Sequence, residues 1–197
     1  MSRARFLILA LLFPLFFLNA QFLINDHIVS PKAADFINKI GVELKSKTKI
    51  NGYIITTNDE LKRGVSVYEY VKKYGDSLQE PFVSIFFAPN SKRIHLIAKP
   101  KDLLSNLDKS EILDYAIKVI ASEDKNTIQS KYDVGLVQAY SEMADEIAKN
   151  RGVKLDTTIQ NSGNWVLKIV NTLIIIGSLI VIWVYFVRPI IIKRRGK

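Results

Sequence analysis

The stretch FVSIFFAPNSKRIHLIAK (82–99) decides the fold. FVSIFFA (82–88) is almost wholly apolar and rich in β-branched and aromatic residues, which suits a central strand covered on both faces. PNS (89–91) supplies a turn, and RIHLIAK (93–99) returns as the hairpin partner. A strand buried on both faces needs a layer above and a layer below it, so helices must flank this hairpin in the chain.

They do. On the N-terminal side, Val67, Tyr68, Val71, Tyr74 and Leu78 recur at helical spacing and predict a helix over 65–79, with Gly75 as its weak spot. YIITT (53–57) precedes it as a strand, set off by Asn51-Gly52, which reads as a break. Ser30-Pro31 opens an earlier helix, Ser as N-cap and Pro at the first helical position, and Phe36, Ile37, Ile40 and Leu44 carry it to about Lys47. On the C-terminal side, two helices are expected, Lys109 to Ala121 and Asn126 to Arg151, the second stopped by Gly152. The polar, unpatterned VKLDTTIQNSGN (153–164) reads as a linker. The order α-β-α-β-β-α-α predicts an α/β domain over 21–152, a three-layer α/β/α sandwich with a small mixed sheet. YIITT should pair in parallel with FVSIFFA through a right-handed crossover.

Both ends of the chain are apolar. From Ile169 to Val187 no residue is charged, and Trp165, Trp183 and Tyr185 stand at the borders as an aromatic belt does. Arg188, Lys193, Arg194 and Arg195 follow. A core helix is rarely apolar on every face for five turns, so 165–187 is expected to be one C-terminal transmembrane helix and 188–197 a basic cytoplasmic tail. Asn171, Gly177 and Ser178 within it suit contact with another helix. Residues 1–20 place Arg3 and Arg5 before a short apolar run and read as a signal peptide, the rival being an uncleaved anchor. Positive flanks stay inside, so the middle of the chain is expected outside the inner membrane of the cell, on a single-pass protein.

The formal charge of +9 invites a nucleic-acid partner. Residues 21–160, however, hold 20 Lys and Arg against 19 Asp and Glu, so the surplus sits in the flanks that set topology. No nucleic acid is expected. The chain has no cysteine, which removes disulfides, thiolate nucleophiles and cysteine metal sites.

Candidate chemistry is sparse. His27 and His95 are the two histidines; Asp26-His27 are neighbours whose side chains point apart in extended backbone. Asp108, Glu111 and Asp114 lie at i, i+3, i+6 and could gather a calcium, although a solvated helix face explains them as well. Ser84 lies in an apolar strand rather than on a nucleophile's turn, and no phosphate loop or zinc-helix motif occurs.

Taken in order, FLINDHIVSP (22–31), TKINGYIITT (48–57), SVYEYVKKYG (66–75) and FVSIFFAPNSKRIHLIA (82–98) resemble the TPM domain family, over about residues 22–152. AKPKDLL (98–104) departs from it in having no glycine turn after the hairpin. That family includes a thylakoid-lumen repair protein and a one-pass auxiliary subunit of a receptor. The resemblance implies an accessory domain acting on assembly, repair or regulation of another integral membrane protein, without enzyme activity. Some relatives are described as phosphatases or as binding divalent metal. The alternative implied is therefore a weak phosphomonoesterase influenced by calcium or magnesium, with Asp26, the family's opening aspartate, as its one metal residue.

Overall fold

The computed structural model describes residues 21–159 apart from Arg63, and Trp183 on its own. The chain divides into two units, Met1–Ile159 and Gln160–Lys197, and the strands of the described residues lie in the first. The expected signal segment 1–20, the expected anchor 165–187 (Trp183 excepted) and the tail 188–197 lie outside the described residues. Among the described residues no helix is long and apolar enough to cross a membrane.

The class is α/β, built on a four-stranded mixed sheet in the order β1-β2-β3-β4. β1 is Leu23–Ile24, β2 is Asn51–Thr56, β3 is Phe82–Ala88 and β4 is Arg93–Lys99. β1, β2 and β3 run parallel, with Ile54 opposite both Leu23 and Ile85; β4 returns antiparallel, with Phe86 opposite His95. The parallel pairing of 53–57 with 82–88 and the 93–99 hairpin partner are as the sequence predicts.

Alternation along the strands sorts two cores. Ile54, Val83, Ile85, Phe87 and Ala98 face three helices: α1 (Pro31–Thr48), α3 (Lys109–Ile120) and α4 (Ile128–Asn150). Tyr53, Ile55, Phe86 and Ile97 face the other way, onto Val71 and Leu78 around the short helix α2 (Val67–Val71). α1 starts where Ser30-Pro31 puts it: Ser30 Oγ accepts the Ala33 N–H at 3.3 Å and Pro31 is the first helical residue. It stops at Lys49, which takes the left-handed conformation at φ 62°. α4 begins later than expected, because Thr127 caps it by accepting the Ser130 N–H at 3.2 Å.

Three readings need correction. Asn51-Gly52 is not a break but the start of β2. Glycine stands there because helices crowd the strand: a Cβ at Gly52 would lie 2.8 Å from Leu44 Cδ2. The buried Tyr140 hydroxyl donates to Gly52 O at 2.7 Å across that close approach. The helix predicted over 65–79 is α2 alone, followed by a 3-10 helix at Lys72–Ser77. Its N-cap, Ser66, makes no side-chain cap bond, and only Val71 of α2 is buried, so little holds more turns. β1 was not foreseen, since two residues carry no period.

Residues 153–159, read as the first part of a linker, are fixed to the domain. Gly152 takes φ +69° and turns the chain back, with Val153 N–H donating to Ala148 O at 3.0 Å. Leu155 is buried in the helical core. Glu43 on α1 accepts the N–H groups of Asp156 at 2.8 Å and Thr157 at 2.9 Å, and the Thr157 hydroxyl as well. Thr158 Oγ1 donates to Asp145 at 2.7 Å, and Ile159 N–H to Ser141 Oγ at 3.3 Å. Burial pushes the Glu43 carboxyl up, but Lys47, Thr157 and the two backbone donors outweigh it and hold it down to about 2.

Candidate functional site at the carboxyl edge of the parallel strands

In open α/β sheets the crevice beyond the carboxyl ends of parallel strands is where loops can assemble a site. Here those ends are Ile24, Thr56 and Ala88, and the loops after them hold a connected set of polar side chains.

After β1, Asn25 folds its own loop. Its Oδ1 accepts the N–H groups of Ile28 and Val29, each at 2.9 Å, and its Nδ2 donates to Val29 O at 2.7 Å. Asp26 then reaches across to β2. Its Oδ2 accepts Asn58 N–H at 2.7 Å, and Asn58 Nδ2 donates back to Asp26 O at 2.7 Å. Asp26 N–H also donates to Thr56 Oγ1 at 3.2 Å. His27 follows, exposed and left-handed at φ 55°, and its side chain leaves the group.

The loop after β2 meets α2. Tyr70 donates its hydroxyl to Asp59 Oδ2 and lies 2.9 Å from Thr57 Oγ1. Lys73, one turn on, donates to Asp59 Oδ2 at 3.2 Å and to the Tyr70 hydroxyl, with its ammonium 3.8 Å from the Tyr70 ring centre. The same loop is tied to the β3–β4 turn: Asn90 Nδ2 donates to Asn58 O and Leu61 N–H donates to Ser91 Oγ, both at 2.7 Å.

The protonation states follow. Burial, then Asp59, pushes the Tyr70 phenol up. The Tyr70 hydroxyl, then Lys73, draws the Asp59 carboxyl down. Burial works against the Lys73 ammonium, but the bonds to Tyr70, Tyr74 and Asp59 outweigh it and raise its pKa. Near neutrality the set is a cation, a neutral phenol and a carboxylate. None of the three is poised to exchange a proton there. These bonds join three loops and one helix along one edge.

The other sequence candidates lie apart. Asp108 caps α3, accepting Ser110 N–H at 2.9 Å and Glu111 N–H at 3.1 Å. Ser84 is buried within β3. His95 sits on β4, its pKa lowered by burial and then by Arg93. Among the described residues no group of three or more His, Cys, Asp or Glu side chains could hold a metal ion. Calcium takes about six to eight oxygens. Around Asp26 the described residues offer one carboxylate whose Oδ2 is already bonded to Asn58, which does not fit such an ion. Thr57, Asp59, Tyr70 and Lys73 were missed. Tyr70 and Lys73 stand one helical turn apart on the helical stretch that follows a polar TTNDE run (56–60) at a strand's end, and that was the available signal.

No family model matches the chain, and no curated protein matches it in sequence.

Proposed function

We propose that this protein is a non-enzymatic accessory protein of the cell's inner membrane. A TPM-like three-layer sandwich, exported across the membrane and held there by the 165–187 helix, would contact another integral membrane protein during its assembly, repair or regulation. The observation that carries the reading is the docking of 153–159 onto α1 and α4. It leaves only 160–164 in sequence between the folded body and the apolar segment, which makes the connecting stretch short. The polar edge described above supports the same reading, because its side chains are bonded to one another. Crosslinking in whole cells, followed by detergent extraction and identification of neighbours, tests it. One integral membrane protein recovered reproducibly is the expected result. Recovery of the full-length chain from the cell's soluble fraction, with no membrane neighbour, would overturn it.

A further inference from the structure

β4 pairs with β3 alone among the described residues, so its outer edge carries backbone N–H and C=O groups with no strand beside them. That edge opens into a groove of about 670 Å³. His95 and Ile97 point to the α2 face of the sheet, and Leu96 and Ala98 to the other, yet all four line the one groove. It therefore straddles the strand edge rather than lying on either face. Val65 and Tyr68 wall it on one side, and Leu104 with Ser105 on the other.

Its charge is one-sided. Arg93, Lys101 and Lys109 line it, and among the described residues no acidic one does. Arg93 is partly engaged, donating to Val65 O at 2.8 Å. The Lys101 ammonium lies 5.0 Å from the Tyr68 ring centre, at the groove's wall. The whole of residues 21–160 is nearly neutral, so this concentration of cations is local.

We propose that the groove receives an extended acidic segment of a partner protein, which adds to β4 as a fifth strand. The exposed backbone edge supplies main-chain hydrogen bonds, as strand addition requires. The lysines on its rim select acidic side chains. In the added strand, alternation would turn small apolar side chains to one face of the sheet and acidic ones to the other. An anionic lipid headgroup could answer the charge but not the row of backbone groups. The inference rests on the accessory reading for the existence of a partner and adds the chemistry of the segment it presents.

The test uses the full-length chain in detergent and a fluorescein-labelled Glu-Val repeat peptide, followed by anisotropy and by amide exchange of residues 93–99. Saturable binding, slower exchange along β4 and about tenfold weaker binding in the Lys101→Glu, Lys109→Glu double variant are expected. A peptide N-methylated at alternate residues should not bind. The proposal is overturned if the methylated peptide binds as well as its parent, if phosphatidylglycerol vesicles displace the peptide without protecting 93–99, or if no binding occurs. A membrane neighbour found by crosslinking alongside an empty groove would overturn the groove and leave the accessory reading standing.

Discussion

Gly52 sits where two helices press on a strand, and its lack of a side chain is what lets them. In Gly52→Ala the new Cβ would meet Leu44 Cδ2 at 2.8 Å and the Tyr140 hydroxyl at 3.0 Å. Both are buried, so any shift must be taken up by packed neighbours. A loss of about 1–3 kcal/mol in urea unfolding is expected; an unchanged midpoint would mean the approach is looser than it looks. Asp26 is a different case. Its carboxylate oxygen accepts a backbone N–H at 2.7 Å, a task an amide oxygen can perform. Asp26→Ala should cost about 1 kcal/mol, and Asp26→Asn much less. If the two variants lose equally, the charge itself matters and a cation or substrate at this position must be reconsidered. The sequence marked Asp26 as special but could not assign its task. Its partners, Thr56 and Asn58, lie about thirty residues away and become neighbours only through the parallel pairing of β1 with β2.

Elements were legible where local chemistry and packing agree. Ser30-Pro31 fixed the start of α1, and the apolar run 82–88 was read with its true bounds because a central strand needs no period to be seen. α2 was overread because aromatic residues at helical spacing mimic a longer amphipathic helix. Tyr68, Tyr70 and Tyr74 are only partly buried, with the phenol of Tyr70 turned to Asp59. The Tyr70–Lys73–Asp59 set was invisible for a related reason. It joins a loop to a helix, and neither end announces the other. The end of α1 offers a cleaner experiment. Lys49 holds φ 62°, a conformation that glycine adopts without steric cost. Lys49→Gly is expected to raise stability by roughly 0.5–1 kcal/mol, read as a higher midpoint with an unchanged urea slope. A lower midpoint would show that the Lys49 bond to Ser46 O outweighs the backbone strain.

At the scale of the molecule, the clamp on Glu43 and the position of the β3–β4 turn can each be probed. The Glu43 carboxyl sits near 2 when folded, against an ordinary 4.5. Its contribution to stability is therefore fully present above about 4.5 and is lost as pH falls through the folded value. The difference in melting temperature between the protein and Glu43→Gln should stay constant from pH 7 to about 5, then shrink towards pH 2. A difference that grows on acidification would rule out this role. For topology, the absence of cysteine from the chain makes Asn90→Cys a clean reporter. Asn90 is exposed on the β3–β4 turn, so labelling of intact cells by a membrane-impermeant thiol reagent is expected. Protection until the cells are lysed would place the domain on the inner side and undo the exported reading.

The clamp at 153–159 also has a mechanical meaning. Tension applied to the chain beyond Ile159 enters the fold through the Ile159–Ser141, Thr158–Asp145 and Thr157–Glu43 bonds, one after another, before any of it reaches α4's last turn. These contacts are the first to bear the load. The sheet and the edge of β4 lie behind them, so a load on this end meets side-chain bonds before it meets strand pairing.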